Sequence, residues 1–538
     1  MMEIRNKDRL IKLSDESLKD FPPNIVKPIY NRSQLTAGIV HIGLGNFHRA
    51  HQAWYLHRLM QQGQALDWAI IGAGVKEFDK GQRLKLLEQD FLTTLVELSP
   101  EGRAVEVVGS MIDYVPIEAD NGALIAQMTK PEIKIVTLTV TEGGYYIDPV
   151  SKSFDSSHPD IAYDAAHPEV PKTAFGAMVA ALRLRRDSGV GPFTCQSCDN
   201  LQGNGATLRQ VIVALAGLSD PKLSQWIAAN CSFPNSMVDC IVPATTAKER
   251  GLVHDLGISD AVPVTHEDFR QWVIEDDFCA GRPDWNMAGA TFTNDVHDFE
   301  MMKIRILNGG HQVIAVPGEL LSIETIEQCM KNSLLGPLFK KVILSEVAPH
   351  VKAVPSITPE NYVDLVHKRF SNPKIIDTTR RVAFDGSSRQ PGFLIPSIRD
   401  GLANTTPIDG LALIQASWAR MCEGTREDGT LIAPNDPFWN KLQAKAKAEG
   451  VSENQTRDEM MSGTTLHTFI PQRHIASMIG YLCSDFGSTI TGQALSVDGV
   501  EIKNLSIVSS LVCSFYNFCL PNLIKKTIKS YSLTPFPK

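Results

Sequence analysis

The chain has 538 residues, 43% of them hydrophobic and 21% charged, a balance that excludes intrinsic disorder, collagen, coiled coil and a disulfide scaffold. Its net charge of −8 leaves no basic surplus to neutralise a phosphate backbone, so nucleic acid is not an expected partner. The ten cysteines are scattered, and Cys195 and Cys198 form a C-x-x-C with no second pair at zinc spacing. No metal site is therefore expected, and the thiols read as the reduced cysteines of a cytoplasmic protein.

Residues 1–35 form a polar lead-in with a Pro22-Pro23 break and no apolar run of the secretory kind. Gly38 to Gly45 is a short apolar run ending in glycines, which predicts a buried strand and a tight turn. A helix is predicted over Phe47–Gln62, a second strand over Trp68–Gly72 and a β-branched strand over Lys134–Thr141. Strands alternating with helical stretches such as Lys172–Arg186 predict an α/β, doubly wound parallel sheet over residues 36–293. From 294 to 450 the pattern turns helical, over Asp298–Val316, Leu334–Val347, Asn361–Phe370 and Gly410–Cys422, which predicts a second, mainly α-helical domain. The text changes again at 451. The uncharged stretch from Asn504 to Ile524 is near membrane-spanning length but holds Ser506, Ser509, Ser510, Ser514, Asn517 and Pro521, so a membrane association is not expected.

Gly43-x-Gly45-x-Phe47-x-x-Ala50 sits between a predicted strand and a predicted helix, the setting in which a glycine turn lets backbone N–H groups approach a pyrophosphate. Asp79 follows the second strand, 34 residues beyond Gly45. An acid there would bond ribose hydroxyls and repel a 2′-phosphate, which favours NAD, although Lys76 and Lys80 pull the other way and a solvated surface acid is the competing reading. Thr141-Glu142-Gly-Gly-Tyr145 and Asp199-Asn200 each end a strand, where α/β proteins bind ligands; a plain turn is the alternative for both. In Lys303-x4-Asn308-Gly-Gly-His311, helical spacing puts the three polar residues broadly on one side, although 303 to 308 is not an ideal i,i+4 pair. A lysine in a dry cleft beside a cationic cofactor would have a lowered pKa and accept an alcohol proton. The amide and imidazole could donate to the developing alkoxide, against the alternative of an ordinary solvated face. Serine-hydrolase, Walker, zincin and kinase motifs are absent from the sequence.

These motifs, with Ser197-Cys-Asp-Asn-Leu201 and Phe233-Pro-Asn-Ser-Met-Val-Asp239, together resemble the polyol-specific long-chain dehydrogenase/reductase family over roughly residues 36–450. The resemblance implies a Rossmann-type domain followed by a helical domain, a monomer, and zinc-independent oxidation of D-mannitol to D-fructose with NAD as cofactor. It implies Lys303 as general base, Asn200 and Asn308 as oxyanion donors, His311 as substrate-positioning residue and Glu300 as proton relay. It also implies polyol contacts from Asp239, Arg381 and Arg389. Cys240 stands where the family pattern would have arginine. Residues 451–503 instead resemble the C-terminal segment of a short-chain dehydrogenase/reductase, and 504–538 resemble nothing assigned. Oxidation of another polyol or sugar acid (arabinitol, mannonate) and a cofactor-binding but catalytically impaired protein are the alternatives.

Overall fold

The structure, a computed structural model, describes residues 10–148 and 153–449. The described residues form two compact units: those within 10–304 together with 351–377, and 305–350 together with 378–449. The expected tail segments at 451–503 and 504–538 lie outside the described residues. Among the described residues, no helix is long and apolar enough to cross a membrane.

The first unit contains strands β1 (Ala37–Ile42), β2 (Ala69–Ala73), β3 (Thr93–Leu98), β4 (Arg103–Val108), β5 (Met111–Tyr114) and β6 (Ile135–Leu138). It continues with β7 (Thr194–Ser197), β8 (Ser236–Asp239), β9 (Val264–Glu267), β10 (Gln271–Glu275) and β11 (Thr291–Thr293). The main sheet is five-stranded in the order β5-β2-β1-β6-β7, parallel throughout. The chain crosses over between β1 and β6, so the loops after those two strands flank the point where strand order reverses, where doubly wound sheets bind ligands. Two three-stranded sheets have the orders β9-β3-β4 and β11-β10-β8, and Ile11–Lys12 pairs with Ile258–Ser259.

Both faces of the main sheet are covered, which is why β1 is buried along its whole length. Val40 and Ile42 point into one core with Val136, Leu138, Phe175, Met178 and Leu208. Ile39 points the other way, into a core with Tyr55, Leu59, Trp272 and Trp285. Helix Ala174–Ser188 illustrates the local logic. Thr173 accepts from the Gly176 amide at its start (2.9 Å), and Gly189 takes the left-handed conformation that ends it. The predicted helix over Phe47–Gln62 is two helices, Asn46–Ala50 and Gln52–Met60, broken at His51.

In the second unit, helix Gly309–Leu320 packs against Leu335–Val342, Thr379–Val382 and Asp409–Cys422. Glu346, buried and with its pKa raised by desolvation, accepts from the Gly410 and Leu411 amides (2.9 and 2.8 Å) at the start of Asp409–Cys422. The segment Val351–Asp377 belongs to the first unit although it lies within the stretch expected as the helical domain. The reason is chemical. Arg369, on helix Pro359–Phe370, makes buried ion pairs to Asp239 and Glu267, and the Asn372 amide donates to the Leu98 carbonyl (2.9 Å).

Candidate functional site

The glycine turn follows β1 directly. Gly43 has φ +94°, and a Cβ there would lie 2.0 Å from the Thr139 carbonyl oxygen, so glycine is obligatory. Thr139 in turn donates from Oγ1 to the Gly43 carbonyl (2.6 Å), closing the loop after β6 onto the turn after β1. Gly45 is different: a Cβ there would meet no protein atom within 4 Å. The turn therefore has one glycine the fold requires and one that keeps open space over the backbone, which fits the close approach of a pyrophosphate. Phe47 lies on the following helix with its ring stacked on His51 at 4.8 Å. Beneath it, His41 and His48 stack at 3.4 Å, and burial lowers both imidazole pKa values, that of His41 to about 3.

Asp79 starts helix Asp79–Leu87 and folds back against Gly74, just beyond β2. Its Oδ2 accepts from the Lys76 amide (3.0 Å). The carboxylate thus stands at the end of the second strand of a βαβ unit, where a ribose-reading acid belongs, while also serving its own turn. Glu142 opens a 3-10 turn, Glu142–Tyr145, after β6.

The chemistry expected of Lys303 has a definite geometry. Lys303, 7% exposed, donates from Nζ to Asn200 Oδ1 and to the Val238 carbonyl, both at 2.6 Å. Because Asn200 Oδ1 is taken by the lysine, its amide Nδ2 is presented elsewhere, on an exposed residue. A cavity lined by Asn200, Leu201, Met237, Val238, Glu300 and Lys303 adjoins this pair. Glu300 accepts from the Gly203 amide (3.1 Å), and burial pushes its carboxyl up to about 7.

Lys303 begins a π-helical stretch, Lys303–Asn308, inserted between helices His297–Met302 and Gly309–Leu320. Residues five apart lie roughly 140° apart around an α-helix, so α-helical spacing alone does not align 303 with 308. The i→i+5 pattern of a π-helix brings such residues toward one face. Asn308 and His311 fall in the second unit. Asn308 is buried, and its Nδ2 makes no hydrogen bond among the described residues. His311, half-buried, is on helix Gly309–Leu320.

Asp239 is 4% exposed, and its carboxylate is gripped by Arg369: NH1 to Oδ2 at 2.7 Å and NH2 to Oδ1 at 3.0 Å. Arg369 also donates to both oxygens of Glu267 (2.9 and 2.7 Å), and its guanidinium lies 4.1 Å over the Phe269 ring. Cys240, where the family pattern would have arginine, is buried, and the cation that pairs with Asp239 comes from 130 residues further along the chain. No local sequence signal marks it. Arg381 is exposed, on helix Thr379–Val382; Arg389 is half-buried and donates to the Val382 carbonyl (2.6 Å). A buried glutamine ladder supports them: Gln312 Nε2 also donates to the Val382 carbonyl, Gln390 to Gln312, and Gln415 to Gln390. Among the described residues there is no group of three or more His, Cys, Asp or Glu placed to hold a metal ion.

Sheet order, glycine turn and lysine site define the class: a Rossmann-type oxidoreductase with a helical second unit. The chain belongs to the mannitol dehydrogenase family: the family model for the mannitol dehydrogenase Rossmann domain matches residues 37–287, and that for the C-terminal domain matches 295–479. The second match runs past residue 450, into the stretch that resembles a short-chain dehydrogenase/reductase. The chain is 50% identical over 478 residues to mannitol 2-dehydrogenase of Cereibacter sphaeroides, covering 89% of this chain and 98% of that one. It is 38% identical over 453 residues to mannitol 2-dehydrogenase of Aspergillus oryzae, covering 82% and 90%. Among solved structures it is similar to the Pseudomonas fluorescens mannitol 2-dehydrogenase ternary complex with NAD and D-mannitol, with TM-score 0.80, 36% identity and coverage of 97% and 100%. A D-sorbitol dehydrogenase in substrate-free form gives TM-score 0.75, 37% identity and coverage of 80% and 90%.

Proposed function

We propose that this protein catalyses the NAD-dependent, metal-independent oxidation of D-mannitol to D-fructose, and the reverse reduction, with Lys303 as general base. The observation that carries the reading is the Lys303 ammonium site: two neutral acceptors, Asn200 Oδ1 and the Val238 carbonyl, fix Nζ beside a cavity in a chain of the mannitol dehydrogenase family. NAD, when bound, supplies the hydride acceptor. Gly43, Gly45 and Phe47 hold its pyrophosphate end and Asp79 its ribose, and Glu142 is assigned to the cofactor with them.

Lys303 in its neutral form takes the hydroxyl proton at Nζ as the carbinol carbon is oxidised. Asn200, oriented by the bond from Lys303 to its Oδ1, donates from Nδ2 to the substrate oxygen, and Asn308 donates from its own Nδ2. His311 orients the substrate, and Asp239, Arg381 and Arg389 bind the remaining hydroxyls. Glu300, whose carboxyl sits near neutrality because it is buried, receives the proton from the Lys303 site and passes it to solvent.

The test is absorbance at 340 nm with purified chain, NADH and D-fructose, then NAD with D-mannitol, D-sorbitol, D-arabinitol and D-mannonate, with NADPH in parallel. The expected result is NADH-dependent reduction of fructose and oxidation of mannitol in preference to the others. Lys303→Ala is expected to lower kcat by about 10² to 10⁴. A Lys303→Ala protein as active as the parent, or a parent that turns over only a sugar acid, would refute the reading.

A further inference from the structure

Thr141-Glu-Gly-Gly-Tyr145 and Asp199 are prominent in the sequence, yet the reaction outlined above gives Thr141, Tyr145 and Asp199 no role. They converge on one another. Asp199 Oδ1 accepts from the Thr141 amide (2.9 Å), and Oδ2 accepts from the Val140 amide (3.0 Å) and the Tyr145 hydroxyl (2.7 Å). Tyr145 Oη also lies 2.6 Å from Ser197 Oγ, which accepts from the Asp199 amide (3.2 Å). The Asp199 carbonyl accepts from Asn204 Nδ2 (3.0 Å). Side chain and backbone of Asp199 are both fixed.

The contact spans the C-terminal ends of neighbouring parallel strands, since Leu138 of β6 pairs with Ser197 of β7. Thr141 has φ +68° and ψ 159°, a conformation that a β-branched residue rarely adopts unless the surroundings impose it. The bond to Asp199 Oδ1 supplies that constraint. On the other side, Asn200 is one peptide from Asp199 and accepts from Lys303 Nζ (2.6 Å). The Val140 and Thr141 amides and the Tyr145 hydroxyl all donate to the carboxylate, which suits an acceptor-only side chain; an asparagine would turn an N–H against one of these donors.

We propose that Asp199 is the positioning residue that holds the loop after β6 and the Asn200–Lys303 pair in one arrangement, so that the cofactor wall and the base are set together. This rests on the reading of Lys303 and Asn200 as part of the reaction centre. Asp199 touches no reacting atom; it acts through Val140, Thr141 and Asn200.

The experiment compares the full chain with Asp199→Asn and Tyr145→Phe. It reads NADH affinity by fluorescence titration, kcat and KM with NAD and D-mannitol per active site, and amide hydrogen exchange over 139–146 and 198–204. Asp199→Asn is expected to lower kcat about tenfold and weaken NADH about fivefold, with KM for mannitol moving less than about twofold. Faster exchange should be confined to those two stretches. Tyr145→Phe keeps both backbone bonds and should show the same pattern with a kcat loss of about threefold. A folded Asp199→Asn protein whose kcat and NADH affinity stay within about twofold of the parent overturns the proposal, as does a lowered melting temperature with unchanged kcat per active site. If Asp199→Asn does not fold, Tyr145→Phe decides, and unchanged exchange at 139–146 with unchanged kcat overturns it. A parent chain that neither binds NADH nor turns over mannitol overturns the functional reading and this inference with it. An active parent matched by an equally active Asp199→Asn overturns this inference alone.

Discussion

Replacing Arg369 with methionine removes the cation that bridges two buried carboxylates. The side chains of Arg369, Asp239 and Glu267 are 2%, 5% and 1% exposed, and four hydrogen bonds of 2.7 to 3.0 Å join them. Removing one partner of such a pair leaves uncompensated buried charge and costs about 3–5 kcal/mol. The lower end applies here, because burial already raises the Glu267 pKa, and protonating it relieves part of the strain. In the variant both carboxyls titrate above their unfolded values. The folded state then binds more protons than the unfolded state, so stability falls as pH rises through that window. The penalty is therefore small near pH 4.5 and full at pH 8. Urea unfolding followed by tryptophan fluorescence reads it, since Trp272 pairs with Val238, next to Asp239. With a slope of about 3 kcal/mol/M, the midpoint at pH 8 should drop by about 1 M or more. Adding Asp239→Asn and Glu267→Gln to Arg369→Met should recover much of the loss, because neutral neighbours no longer need the cation. A midpoint within about 0.2 M of the parent, or a penalty independent of pH, would refute this account.

Three further outcomes follow from the geometry. Gly45→Ala should leave the melting temperature unchanged, because its Cβ meets no protein atom within 4 Å, while weakening NADH about tenfold or more if, as proposed, the pyrophosphate lies over it; Gly43→Ala should destabilise the fold itself through its clash with Thr139. Glu300, raised to about 7, has its proton held more tightly when folded, so the parent should lose on the order of 3 kcal/mol between pH 4.5 and 7 at this site. Glu300→Gln should abolish that component in pH-dependent melts and flatten the pH profile of mannitol oxidation over the same range. Gln312→Ala removes a buried donor to the Val382 carbonyl and strands Gln390, and should raise KM for the polyol with less effect on NADH affinity, measured by parallel titrations.

The parallel sheet was legible because its strands are short, β-branched and buried on both faces, and each carries its own signal. The β-branched run Lys134–Thr141 predicts a longer strand than forms, since β6 stops at Leu138, where the loop turns to meet Asp199. The helical run beginning near Asp298 was legible from its apolar spacing, but its π-helical stretch was not, because one extra residue per turn leaves no mark on composition. Arg369 could not be found by pattern, since its partners are 130 and 102 residues away.

By itself, then, the sequence determined whatever depends on neighbours within a few residues: the strand, the glycine turn, the capped helices, and the residue types able to move a proton or hold an alkoxide. Only the tertiary structure decided which of those residues act on one another. Asn200 Oδ1 on Lys303, Asp199 on Thr141 and Arg369 on Asp239 are bonds between distant segments. Burial makes those bonds obligatory, because a charge or donor removed from water must find its partner wherever the fold brings one.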